Sequence, residues 1–209
     1  MRLTRLAIAA AMILIASDAL AQNPPAGPPA GRGGGRGGRG GGRGAVRSMT
    51  LTSTAFKDGE TLPDKYAQPG EEVSPPLAWT GAPDSTKSFV LIVHDLDAVN
   101  ATGMEDVLHW MVWNIPPTMT SLPEHVPQGG ELGDGRRQIS VTGPYYRGPG
   151  APATGPMHHY AFEIFALDTT VDVPAVGAAP AATRSAVAAA MAGHVRGKGV
   201  LVTLWRRRP

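Results

Sequence analysis

Four short runs of apolar, β-branched and aromatic residues recur along the chain, and turns rich in Pro and Gly separate them. They span residues 88–94, 109–115, 159–167 and 200–205. Because β-branched and aromatic side chains favour strands, each run predicts a β-strand. Residues 49–53 alternate between polar and apolar side chains and predict a weaker fifth strand. A chain of such segments is constrained to build β-sheets.

One segment, residues 180–194, predicts a helix. It is rich in Ala, begins at Pro180 and meets Gly193 near its end. Val187 and Met191 are spaced i and i+4, so they should share the face that packs on the core. Many short strands followed by one late helix favour a mainly β fold, specifically an antiparallel β-sandwich with a C-terminal helix.

The first 21 residues have the features of a secretory signal peptide. Arg2 and Arg5 precede an apolar stretch, residues 6–16, that is too short to span a membrane. Ala19-Leu20-Ala21 then supplies a small-residue cleavage site, so the mature chain should begin at Gln22. The predicted location is therefore periplasmic or secreted, with an uncleaved anchor as the alternative.

Residues 22–47 predict a disordered arm. Between residues 24 and 47, eleven of 24 residues are Gly and five are Arg, with no acidic residue. Such a segment cannot bury enough apolar surface to offset the entropy of ordering it. It is either a solvated linker or a weak contact for anionic surfaces. Because it lacks aromatic residues for base stacking, specific binding of nucleic acid is not predicted.

The remaining residues, 48–209, predict one domain of ordinary size. Residues 48–205 contain nine Lys and Arg against 16 Asp and Glu, a balance of 9 − 16 = −7. An acidic domain argues against nucleic acid as its main ligand. The chain has no Cys, which excludes disulfides, thiolate metal sites and a Cys nucleophile.

Ionisable side chains gather where three predicted strands begin or end: His94, Asp95, Asp97, His109, His158 and His159. If neighbouring strands run antiparallel, these ends converge on one rim. Imidazoles can donate hydrogen bonds to an anion, and a carboxylate orients a neighbouring imidazole. The Gly- and Pro-rich loop before His158 could add backbone N–H groups. The pattern predicts a small pocket for an anion or phosphomonoester.

Other functions stay open. His94, His109 and His158 with Asp95 could bind zinc, although no HExxH motif supports a metal. A metal-assisted hydrolase could use the same residues, but there is no GxSxG motif, so no enzyme is predicted. An inhibitor of an exported partner, such as a protease, is the third possibility.

Several separated motifs carry a family resemblance: SPPLAWTGAPDSTKSFVLIVHDLDA, HWMVWNIP, GPYYRGPGAPATGPMHHYAFEIFALD and VRGKGVLVTLW. Residues 49–205 resemble the phosphatidylethanolamine-binding protein family, specifically its bacterial Raf kinase inhibitor-like branch. The resemblance implies a β-sandwich with a pocket for phosphate-like anions. It implies that the ligand-binding residues are Asp95, Asp97, His109, Gly150, Pro152, His158 and Tyr160. No cofactor and no metal are predicted.

The resemblance also assigns parts within the pocket. Asp95, His109 and His158 would be its inner polar groups, and Pro152 and Tyr160 its walls. The chain departs from the family at three positions. Leu96 and Val99 replace the prolines of the D-P-D-A-P motif, and His159 replaces the Arg of the H-R-Y motif. Because neighbours alternate across a strand, His159 should lie on the opposite face from His158.

Overall fold

Nine β-strands and one α-helix make up the regular structure of the residues that the computed structural model describes, 45–99 and 105–209. The strands are β1 (Arg47–Ser48), β2 (Thr50–Thr52), β3 (Leu77–Thr80), β4 (Ser88–Val99), β5 (Asp106–Ile115), β6 (Ser121–Leu122), β7 (Arg137–Ile139), β8 (His158–Leu167) and β9 (Val195–Trp205). The helix is α1 (Pro180–Met191), and one turn of 3-10 helix covers Asp64–Tyr66.

The strands form two sheets, so the fold is mainly β, as predicted. The larger sheet has the order β1-β9-β8-β4-β5-β7, and the smaller has the order β2-β3-β6. β4 lies between β5 and β8 and runs antiparallel to both. β1 pairs parallel with β9. The three strands that carry the predicted site residues are therefore direct neighbours at the centre of the larger sheet.

Most of the N-terminal predictions concern residues that the structure does not describe. The predicted signal peptide, residues 1–21, and the arm before residue 45 lie outside the described residues. The end of the predicted arm needs a correction, because Arg47 already pairs with Gly197 in the larger sheet. β4 and β9 are longer than predicted, and the sequence did not predict β3, whose four residues directly follow Pro75 and Pro76.

Side chains on the two faces of β4 enter two separate core clusters. Phe89, Leu91 and Val93 pack in a cluster that also contains Trp79 of the smaller sheet. Val90, on the other face, packs in the cluster that contains the helix residues Val187 and Met191. Burial on both faces explains why β4 begins as an unbroken apolar run instead of an alternating one.

Helix α1 ends earlier than predicted, at Met191 instead of His194. Pro180 occupies its first turn, where the missing N–H is not needed. Gly193 adopts a φ of 81° just beyond the last turn, a left-handed conformation that ends the helix and that Gly adopts at little cost. The predicted packing of Val187 and Met191 on the core is confirmed. Among the described residues, no helix has the length and hydropathy needed to cross a membrane.

Candidate functional site

The end of β4 and the start of β8 place a carboxylate against an imidazole. Asp95 lies opposite Tyr160 in the register of the two strands, which brings His158 within reach. The Nδ1 atom of His158 lies 2.8 Å from Oδ2 of Asp95. The other oxygen, Oδ1, accepts the backbone N–H of Asp97 at 3.0 Å. Asp95 is only 3% exposed, so both oxygens are held by hydrogen bonds in a buried position.

A β-bulge turns His109 towards the same place. Val93 pairs with Trp110, yet His94, the next residue of β4, pairs with Leu108, so His109 is the extra residue on β5. Without the bulge, strict alternation would direct His109 and Trp110 to opposite faces. Instead, the His109 ring meets the Tyr160 ring edge to face, with centroids 5.1 Å apart.

The hydrogen bonds of His109 define its tautomer. Its Nδ1 atom lies 3.0 Å from the carbonyl oxygen of Arg147 and 3.1 Å from that of Gly148. Carbonyl oxygens only accept hydrogen bonds, so Nδ1 carries the proton and donates it. Burial lowers the pKa of His109 below its ordinary value. The neutral ring then leaves the lone pair of Nε2 for a ligand.

Tyr160 forms a rigid support behind the two imidazoles. Its hydroxyl oxygen accepts the backbone N–H groups of Gly150, at 3.3 Å, and Ala151, at 3.2 Å. Burial, reinforced by the nearby charge of Asp95, raises the pKa of this hydroxyl well above its ordinary range. Tyr160 therefore stays neutral and ties the loop to β8.

These contacts correct one expectation about the loop. The sequence suggested that its Gly residues offer free N–H groups to an anion. The N–H of Gly150 is instead taken by Tyr160, and the N–H of Gly148 donates to Oε1 of Glu72 at 3.2 Å. A Cβ at Gly150 would lie 2.3 Å from Nε2 of Gln68, so the Gln68 side chain would have to move to admit a larger residue.

Five of the seven predicted residues line one cavity of about 210 Å³: Asp95, His109, Gly150, Pro152 and His158. We call it the rim cavity. Its other lining residues, which the sequence reasoning did not single out, are Gln68, Ala98, Val107, Arg147 and Ala151. Of the two predicted residues that do not line the rim cavity, Tyr160 supports the loop from behind.

Asp97, the second of those residues, pairs with His159. Nδ1 of His159 lies 2.8 Å from Oδ2 of Asp97, which also accepts the His159 N–H at 2.6 Å. The His159 side chain is 53% exposed, against 15% for His158. The two residues thus follow the alternation of the strand, as expected. Asp97 contributes to the rim cavity only through its backbone N–H, which holds Asp95.

Arg147 is the positive side chain of the rim cavity. Arg136, Arg184 and Arg196 each pair with a carboxylate. Among the described residues, none forms an ion pair or a side-chain hydrogen bond with the Arg147 guanidinium. The signal for Arg147 was visible, because it is the one basic residue in the loop sequence GPYYRGPGAPATGP. Gln68 had no such signal, since it lies about 80 residues earlier in an irregular segment.

His94 does not join the rim cavity, which is a correction to the predicted cluster. It projects from the other face of β4, where Nδ1 bonds Oδ2 of Asp106 and Nε2 lies 3.4 Å from Oε2 of Glu163. Arg184 binds Asp106 on the same face. The zinc set of His94, His109, His158 and Asp95 is therefore not assembled. The described residues contain no group of three side chains suited to a metal ion.

The family is established by comparison with known proteins. The family model described as phosphatidylethanolamine-binding protein matches residues 52–206. The chain therefore belongs to the phosphatidylethanolamine-binding protein family. A UPF0098 protein of Methanothermobacter thermautotrophicus is 42% identical over 161 residues, which cover 76% of this chain and 99% of that protein. A UPF0098 protein of Pyrococcus horikoshii is 39% identical over 162 residues, which cover 75% of this chain and 76% of that protein.

A solved structure agrees with this assignment. The crystal structure of YbcL from Escherichia coli, described as a new member of the mammalian PEBP family, matches with a TM-score of 0.62. It is 28% identical, and the match covers 77% of this chain and 99% of YbcL. The fold described above is therefore shared with a member of the family.

Proposed function

We propose that this chain is an exported, non-enzymatic binding protein whose rim cavity holds a small ligand with a phosphate or similar anionic group. One observation carries the proposal: Arg147, His109 and His158 line the same cavity. A guanidinium donates charge-assisted hydrogen bonds to phosphate oxygens, and an imidazole does so when both of its nitrogens carry protons.

The charges in the rim cavity are compatible with an anion. Asp95 brings one negative charge, but both of its oxygens already accept hydrogen bonds, from His158 and from the backbone of Asp97. Arg147 then supplies a positive charge that no described carboxylate neutralises. A volume of about 210 Å³ suits a headgroup-sized ligand better than a large cofactor.

The lining residues support binding without catalysis. Among the described residues that line the rim cavity there is no Ser, Thr, Tyr or Cys side chain that could act as a nucleophile. The remaining candidates are Asp95, whose two oxygens are held in fixed hydrogen bonds, and the imidazoles of His109 and His158.

The test is a titration of the full chain with inorganic phosphate and with O-phosphoethanolamine, followed by calorimetry and phosphorus NMR. Binding should be independent of added metal. Arg147→Gln should weaken it about tenfold or more, because a charged hydrogen bond is lost. Arg207→Gln is the matched control, because this exposed Arg follows β9 and does not line the rim cavity. Equal loss in both variants would indicate general charge attraction instead of a site.

Two finer features belong to the same proposal. We propose that the two sheets pack as a β-sandwich, because the Trp79 ring of the smaller sheet contacts the Phe89 ring of the larger one edge to face, with centroids 5.4 Å apart.

Export rests on the signal-peptide pattern of residues 1–21. Cell fractionation would test export, which predicts a secreted or periplasmic product that begins at Gln22.

A further inference from the structure

One side chain of the rim cavity, the imidazole of His109, presents a hydrogen-bond acceptor where a phosphate needs a donor. Nδ1 of His109 donates to two carbonyl oxygens, and burial disfavours the charged form of this ring. A neutral imidazole with its proton on Nδ1 has only a lone pair on Nε2. No described residue forms a hydrogen bond with Nε2 of His109. Nε2 of His109 and an oxygen of a fully ionised phosphate would both be acceptors, so they could not form a hydrogen bond with each other.

We propose that the rim cavity selects phosphomonoesters over phosphodiesters and binds them with uptake of about one proton, shared between Nε2 of His109 and a phosphate oxygen. This inference rests on the proposed function and specifies its ligand class. A monoester loses its second proton near pH 6, close to the range of an imidazole, so either partner can carry the added proton. A diester oxygen is far less basic, so in a diester complex His109 alone would have to carry the added proton.

The surroundings of His109 favour this proton in the complex more than in the free protein. Asp95 on β4 attracts it, whereas Arg147 in the loop repels it. His158 and Tyr160 face the ring from β8, and the carboxylate of Glu72 lies behind Gly148. Burial disfavours the imidazolium when the cavity holds no anion. An arriving dianion reverses that balance, because it supplies the opposite charge at Nε2.

The experiment compares O-phosphoethanolamine with glycerophosphoethanolamine, a monoester and a diester that share one headgroup. Calorimetry of the full chain at pH 7.5 in buffers of different ionisation enthalpy gives the number of protons taken up. We expect about one proton for the monoester and an affinity at least about tenfold above that of the diester. The monoester affinity should also rise as the pH falls from 8 to 6.5.

His109→Asn removes the Nε2 acceptor while its amide can still donate to the two carbonyls, and it should reduce the proton uptake to below half. His159→Asn is the control, because it makes the same substitution at an exposed His that does not line the rim cavity. Nitrogen NMR of the unsubstituted chain gives a second readout, since Nε2 of His109 should gain N–H character on addition of the monoester.

The outcomes are distinguishable. Binding of both esters with equal affinity, or monoester binding without proton uptake, would overturn the inference and leave the phosphate site intact. Binding of neither ester would overturn both this inference and the proposed function.

Discussion

The carboxylate of Asp95 and the imidazole of His158 are joined by a hydrogen bond of 2.8 Å across two neighbouring antiparallel strands. Two residues further along β4, Asp97 forms a pair of the same length with His159. The first pair is buried and lines the rim cavity, whereas the second is exposed. The chain thus contains its own comparison between a buried and an exposed pair of the same chemistry.

The first prediction uses this comparison. Asp95→Ala should lower the free energy of unfolding by about 2–3 kcal/mol, because it leaves His158 and the Asp97 N–H without an acceptor in a buried position. Asp97→Ala should cost less than about 1 kcal/mol, since water can replace the lost contacts. Urea unfolding of both variants measures the difference. Equal losses would show that burial does not distinguish the two pairs.

The second prediction concerns the contact between Gly150 and Gln68. Gly150→Ala places a Cβ 2.3 Å from Nε2 of Gln68, which must move and give up its hydrogen bond to the Gly148 carbonyl. We expect a loss of about 1 kcal/mol or more in unfolding free energy. Gly155→Ala, in the same loop, meets its nearest atom at 4.0 Å and should change stability by less than about 0.5 kcal/mol.

A double variant tests the assigned cause. If the clash with Gln68 is responsible, Gly150→Ala should cost less in a Gln68→Ala background than in the natural chain. An unchanged cost in that background would place the strain elsewhere in the loop.

Sequence reasoning predicted the mainly β class and the late helix because their main signals are local. The apolar run of β4 is buried on both faces, and it stands out between turns. The short strand β3 gave little signal, since it has two buried side chains in only four residues. Its place in the smaller sheet depends on pairing with β2 and β6, which are distant in sequence.

The site was predictable only in part, for a geometric reason. The convergence of Asp95, His109 and His158 follows from antiparallel pairing, yet it also needs the bulge at His109, which strict alternation would not reveal. His94 was misplaced because it was grouped with its neighbour Asp95, whereas adjacent residues of a strand face opposite sides. Arg147 and Gln68 enter through irregular segments, where no periodicity predicts which way a side chain points.

The third prediction concerns the network on the opposite face of the larger sheet. Burial disfavours the charged form of His94, but the neighbouring carboxylates of Glu163 and Asp106 outweigh it and raise the pKa of His94 above 6.5. The contact with His94, helped by Lys198 against the effect of burial, lowers the pKa of Glu163 from 4.5 to about 2. Both shifts show that the folded state favours the charged pair.

The charged pair of His94 and Glu163 makes the free energy of unfolding depend on pH in two ranges. The contribution of His94 is fully present below pH 6.5 and is lost as the pH rises through its raised pKa. The contribution of Glu163 is present above pH 4.5 and is lost as the pH falls towards 2. The stability difference between the natural chain and His94→Gln should therefore shrink between pH 6 and 8. Urea unfolding across this range measures it, and a constant difference would contradict the assigned charge state.

The last prediction concerns the hydroxyl of Tyr160. Tyr160→Phe keeps the ring but leaves the buried N–H groups of Gly150 and Ala151 without their acceptor, which should cost about 1–3 kcal/mol. Tyr145→Phe is the control, since its exposed hydroxyl makes one long contact of 3.4 Å to the Thr142 carbonyl and should matter by less than about 0.5 kcal/mol. Amide hydrogen exchange adds a local readout: Gly150 and Ala151 should exchange faster in Tyr160→Phe than in the natural chain. Unchanged exchange at both amides would mean that the loop is held by Gln68 and not by Tyr160.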